Sequence, residues 1–336
     1  MTTFKELRGT AIQAVSSDPS NPETGQIWYN SSSGTLKGYV LANVNSWSAG
    51  GNMNTNRVYA GGVGNGASNS ASLGFGGYLS TGGNTGATES YNGTSWTNAP
   101  SLNTARRNNA SGLGTQTAAL AAGGFSTSNI STVESFNGST WTTVNSMNTA
   151  RGAAGNAGTQ TAGLVFGGNV PPTTSATELY NGTTWTSNPT GLNTARFRMG
   201  GFGTQTAAVA VAGDTGGDTY VSNTELWNGT SWTSNPTGYI RSTNLIGAAG
   251  TQTAGLGFAG GEGANPGAPV SNTTVSWNGS TWTTLPATLS NARDSGSSAG
   301  TQTSALFAGG TNGVSYLTST EEWTGSQFST KTITVS

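Results

Sequence analysis

Short apolar runs alternate with small polar stretches along the whole chain, and the alternation recurs. Ala118-Ala119-Leu120-Ala121-Ala122 follows Gly-Thr-Gln-Thr at 114–117 and ends in Gly123-Gly124. Val133-Glu134-Ser135-Phe136 is separated from Trp141-Thr142 by Asn137-Gly138-Ser139-Thr140. Such brief runs, bounded by Gly and Asn, predict strands and not helices. Asn-Gly between two aromatic-bearing runs predicts a tight hairpin with both residues at φ > 0 in a type I′ turn.

The pattern repeats with a measurable period. Thr88-Glu89-Ser90-Tyr91-Asn92-Gly93-Thr94-Ser95-Trp96 returns around Trp141, Trp185, Trp232 and Trp282, with a degenerate copy ending at Phe328 and an earlier relic at Trp47. Successive anchors lie 49, 45, 44, 47, 50 and 46 residues apart, the length of one four-stranded propeller blade. Within each copy, strand A is the Gly/Ala-rich stretch after an Arg and strand B the apolar run after Gly-Thr-Gln-Thr. Strand C is Thr-Glu-x-aromatic, and strand D begins at the Trp. The small residues of strand A suit a crowded inner wall, and the large rings of C and D suit the wider outer gaps between blades.

A glycine pair, an aromatic preceded by Glu, a Trp five residues later and then an Arg resemble the kelch repeat, over roughly residues 26–330. The resemblance implies an all-β fold, a β-propeller of kelch-like four-stranded blades over 26–336, which leaves residues 1–25 as an N-terminal arm or attachment segment. Seven blades are expected: six full sets from Arg57 to Phe328, and one split set completed by Gly9–Val15 or the tail Lys331–Ser336. Six blades plus an N-terminal hairpin is the alternative. The hairpin-like stretch Gly25-Gln26-Ile27-Trp28-Tyr29-Asn30-Ser31-Ser32-Ser33-Gly34-Thr35-Leu36-Lys37-Gly38-Tyr39 also resembles bacteriophage tail-fibre and virion structural proteins.

Composition narrows the function. Charged residues are 7% of the chain and its net charge is −1, so there is no electrostatic footprint for nucleic acid or an anionic membrane. The 10 Trp, 9 Tyr and 10 Phe supply the buried area that a disordered polar chain lacks. With no Cys and no His, disulfides, thiolate or imidazole chemistry and the common transition-metal ligands drop out, and no cofactor is expected. No apolar run reaches membrane-spanning length. The first residues lack the apolar stretch of a secretory signal, which points to synthesis in a cytoplasm without Sec export.

The repeated charges read as structural. Arg57, Arg106, Arg151, Arg196, Arg241 and Arg293 occupy one repeat position, and Glu89, Glu134, Glu178, Glu225 and Glu321 another, with Val275 replacing Glu in the fifth copy. One buried Arg–Glu or Arg–backbone contact per blade is expected. Asn-Gly-Ser/Thr at Asn92, Asn137, Asn181, Asn228 and Asn278 reads as turn chemistry before glycosylation.

Candidate binding residues come from the B–C loops, which vary between copies while Gly-Thr-Gln-Thr barely changes. Tyr78, Phe125, Tyr220 and Tyr316 are loop aromatics able to stack on sugar rings, and Asp214, Asp218 and Glu262 are loop acids. Two acids across a glycosidic bond would suffice for a glycan-cleaving enzyme, but these sequences carry no further catalytic pattern, so no enzymatic activity is expected. The reading is a virion-associated adhesion module of a tail fibre or appendage. It would be exposed outside cells and partnered by other virion proteins and a host-surface glycan or receptor, with homo-oligomers possible. The alternative is a purely structural virion protein, in capsid decoration or a tail.

Overall fold

The computed structural model describes residues 12–43, 45–63, 69–107, 111–261 and 269–333. The chain forms two compact units, 46–323 and a smaller one made of 1–45 with 324–336. The expected break after residue 25 thus falls instead after residue 45.

Among the described residues of the larger unit, six four-stranded sheets follow one another. Their innermost strands, Gly61–Val63, Ser111–Thr115, Gly155–Gly158, Gly200–Gly203, Gly247–Thr251 and Ser297–Gly300, are strands A of blades 1 to 6. Each lies against the next, and the sixth lies against the first, so the ring closes. The six-blade alternative therefore replaces the seven-blade expectation. The outermost strands D are Trp96–Ala99, Trp141–Val144, Trp185–Asn188, Trp232–Asn235, Trp282–Leu285 and, in blade 6, Ser46–Gly50. Trp47 thus supplies the sixth outer strand from the front of the chain. Phe328, expected there, lies in Gln327–Thr332, which pairs with Thr35–Asn43 in the smaller unit.

The smaller unit is one sheet in the order Gln13–Val15, Ile27–Asn30, Thr35–Asn43, Gln327–Thr332. Its first pair is parallel and the others are antiparallel. Asp18 gathers it, accepting from Trp28 Nε1, Asn30 Nδ2 and Lys37 Nζ. The Lys37 bond, aided by those of Asn30 and Trp28, holds this carboxyl down at about 2.

Packing explains the repeat. A Cβ on Gly201 would stand 2.6 Å from Asn156 O, and one on Gly62 2.7 Å from Ser298 O. Adjacent A strands therefore meet backbone to backbone and tolerate no larger residue there. On the outside each strand-D Trp stacks on the strand-C aromatic of its own blade, with centroids 5.0 Å apart for Phe136–Trp141 and 5.4 Å for Trp47–Trp323. Its indole N–H crosses to the preceding blade. Trp47, Trp96, Trp141, Trp232 and Trp282 donate to Oγ1 of Thr274, Thr320, Thr88, Thr177 and Thr224 at 2.8–3.1 Å. Trp185 is the exception, because Val133 stands where its Thr would be. It donates to Asn145 O instead, at 3.2 Å.

Gly-Thr-Gln-Thr is a second interblade staple. Gln116, Gln160, Gln205, Gln252 and Gln302 each donate Nε2 to two backbone carbonyls of the preceding blade, such as Ser72 O and Tyr91 O for Gln116. At the joint between blades 6 and 1, Tyr91 Oη donates to Glu322. Burial first, then that bond, pushes the Tyr91 phenol up to about 12. The Asn-Gly hairpins differ from the expected type I′ turn. Tyr91 faces Trp96, which leaves a four-residue loop. Only Gly93 has positive φ, while Asn92 Oδ1 caps the N–H groups of Thr94 and Ser95.

The Arg–Glu expectation holds in five blades. Arg57, Arg106, Arg151, Arg196 and Arg293 are fully buried and pair with Glu89, Glu134, Glu178, Glu225 and Glu321. In blade 2 Arg106 also donates to Gly123 O and Thr132 O, and Glu134 accepts from the backbone N–H groups of Asn103 and Thr104. The pair thus ties the D–A link to both ends of the B–C loop. Arg241 is a correction: the residue at the repeat position of blade 5 is Thr243, which is buried and donates to Gly261 O. Arg241, two residues earlier, is half-buried and reaches Ala259 O. Arg and Glu are therefore missing together in blade 5, as expected where either alone would be a buried unpaired charge.

This yields a test in blade 2. Glu134→Val alone strands Arg106 and is expected to cost about 3–5 kcal/mol in chemical denaturation. Adding Arg106→Thr, the pairing of blade 5, should recover most of that loss. A double variant no more stable than the single one would contradict the account.

Candidate functional site

The B–C loops and the D–A links share one end of the ring, stitched by backbone pairs such as Arg107–Phe125, Phe197–Asp214 and Asp294–Thr311. At the axis, residues two beyond the repeat Arg position form a belt. Tyr59, Ala153, Arg198, Leu245 and Ser295 all take left-handed φ, between 53° and 58°. Such a φ costs a non-Gly residue roughly 1–2 kcal/mol. Here it aligns a chain of interblade hydrogen bonds. Tyr59 N donates to Ser295 O, Ser295 N to Leu245 O, Leu245 N to Arg198 O and Arg198 N to Ala153 O.

The belt surrounds an axial cavity of about 130 Å³, lined by these five residues and by Met199, Ile246, Asn156, Ser298 and glycines of strands A. Arg198 is the one charged lining residue among the described residues. Its Nη1 lies 3.8 Å from Asp214 Oδ2, and its guanidinium carbon 5.0 Å from the centre of the Phe197 ring. Its Nε is buried without a hydrogen-bond partner. Burial raises the Tyr59 phenol, against the pull of Arg198. Asp294, 4% exposed and packed on Gly261, is pushed up to about 6 by burial, although Ser295 Oγ donates to it and Arg198 is near.

The expected site residues divide into groups. Asp214 is buried, accepts from Gly216 N at 2.7 Å and pairs with Arg198. Asp218 is exposed and accepts from Tyr220 Oη at 3.0 Å. These three therefore come together in the blade 4 loop. Tyr78 and Phe125 form a second group around Arg107, whose guanidinium lies 4.7 Å and 4.9 Å from their ring centres. Tyr316 closes the turn of its own loop by pairing with Thr311. Glu262 lies outside the described residues. Arg107 and the belt residues Tyr59, Arg198 and Ser295 escaped the sequence reading. The belt residues have in common only their place two beyond the repeat Arg position, and Arg107 stands one beyond Arg106.

No family model matches the chain, and no curated protein sequence matches it. Among solved structures 203 chains are similar. One is the structure of YjhT, with a TM-score of 0.64 at 12% identity, covering 80% of this chain and 95% of YjhT. The fold is that of a β-propeller. At such identity the likeness extends to the propeller fold alone.

The Asp294 environment predicts a pH dependence. Its proton is held more tightly in the folded chain, at about 6, than in the unfolded chain, near 3.8. This contribution is complete below about pH 4 and is lost as pH rises through about 6. Asp294→Asn is expected to be the more stable protein near neutral pH, by up to about 3 kcal/mol, with the gap closing by about pH 4. Urea denaturation across that range checks it, and a constant gap would count against it.

Proposed function

We propose that this propeller is a kelch-like binding module of a virion, a tail-fibre or appendage component that recognises a host-surface glycan or receptor through its loop face. The observation that carries the reading is the division of work between the two ends of the ring. The Gly-Thr-Gln-Thr end is committed to interblade staples. The loop end is anchored below by the Arg–Glu clamps and holds its own varied side chains. Variable loops on a rigid frame are the usual construction of a recognition surface.

Side-chain chemistry supports binding over catalysis. Asp214 is held by Gly216 and Arg198, Asp218 by Tyr220, and Asp294 by Ser295 against Gly261. Half-buried Tyr78, Phe125, Tyr220 and Tyr316 offer aromatic faces and polar edges. The low charge, −1 for the chain, favours uncharged or weakly charged ligands. Other virion proteins would be its assembly partners, and the particle surface its place of work.

The test is retention of the fluorescently labelled chain on an array of bacterial surface polysaccharides. Selective retention that Tyr78→Ala or Tyr220→Ala weakens by about tenfold or more is expected. An array with no retained chain would favour the structural virion role and remove the adhesion reading.

A further inference from the structure

We propose that the axial cavity binds one neutral sugar ring, entering from the loop face, with Arg198 as its charged hydrogen-bond donor. The inference deepens the binding reading above and rests on it. Size is the first argument. A cavity of about 130 Å³ is on the scale that holds one six-membered ring, and too small for a folded peptide loop or several sugar units. The site therefore takes the end of a glycan and leaves its remainder to the surrounding loops.

Charge is the second argument. Arg198 is balanced by Asp214 at 3.8 Å, and the Asp294 carboxyl also interacts with its charge. An anionic ligand would meet a guanidinium already neutralised, with a second carboxyl behind Ser295. A cationic ligand would meet Arg198 at the wall. A neutral ring whose hydroxyls both donate and accept avoids both penalties. The third argument is the composition of the wall. Met199, Leu245 and Ile246 present apolar surface, while Tyr59, Ser295 and Ser298 add hydroxyl groups. That mixture suits a ring with apolar C–H faces and a polar edge. Because the belt's described backbone groups already bond to one another, side chains must provide the discrimination.

The experiment is calorimetric titration of the full chain with D-glucose, D-galactose and D-mannose, with D-glucuronate as the anionic comparison. Binding of at least one neutral hexose at about millimolar affinity or tighter is expected. Arg198→Ala should weaken it at least about tenfold. Alanine suits that backbone, since Ala153 holds the same φ, and near-ultraviolet circular dichroism checks that the variant folds. Deoxy analogues of the bound hexose on the unaltered chain give a second test, because loss of one hydroxyl should remove most of the affinity. No neutral hexose binding, tighter binding of glucuronate, or affinity unchanged in both Arg198→Ala and every deoxy analogue would overturn the site. Array retention that survives Arg198→Ala and excess free hexose would overturn it while leaving the loop-face reading intact. Hexose binding without array retention would support the cavity and remove the adhesion reading.

Discussion

Everything in the larger unit depends on closing the ring. A blade buries its two faces only between neighbours, and an open array would leave the first and last faces in water. Ser46–Gly50 prevents that by joining the last blade from the front of the chain. Trp47 then takes up the interactions of the other strand-D Trp residues, Trp185 excepted. It stacks on Trp323, meets Phe258 at 5.1 Å and donates to Thr274 of the blade before. The neighbouring joint, between blades 6 and 1, carries the Tyr91–Glu322 bond, a pairing absent from the other joints among the described residues. Closure is thus reinforced on both sides of the blade where the chain's two ends meet.

The same requirement sorts the polar groups. Seven per cent charged residues leaves little room for chance ion pairs, and most of the arginines are spent on clamps that are fully buried and amply hydrogen-bonded. A buried carboxylate is tolerable when it accepts a guanidinium and two backbone N–H groups at once, as Glu134 does. Blade 5 supports the rule by its exception. It has dropped both charges: Arg241 reaches Ala259 O, the counterpart of Gly123 O, while Thr243 donates to Gly261 O.

Much of this was legible in the sequence because the repeat is a repeat of contacts. The period, the Trp anchors, the small A strands and the Arg–Glu pairing each follow from one physical need recurring in every blade. Legibility failed where that one-to-one correspondence failed. Trp47 and Phe328 both sit at a plausible spacing, and only strand pairing distinguishes them. Arg241 mimics the repeat Arg because an Arg two residues early reaches the corresponding carbonyl. The Asn-Gly turns showed the right residues but a longer loop, since Asn92 caps two N–H groups and does not itself enter positive φ.

The axial belt was the least legible feature for a more general reason. Tyr59, Ala153, Arg198, Leu245 and Ser295 share a backbone conformation and a chain of hydrogen bonds to one another, not a side-chain type. Although Arg198 pairs with Asp214 and Ser295 donates to Asp294, the chain of backbone bonds carries the interblade contact itself, so the belt constrains φ more than side-chain type. That freedom conceals the position from a search for recurring residues. It also makes the belt a suitable place for recognition chemistry, because changing Tyr59 or Arg198 alters what faces the cavity without breaking the bonds that hold the blades together. A structural element that constrains φ more than side chain separates stability from specificity where the described belt residues of five blades meet.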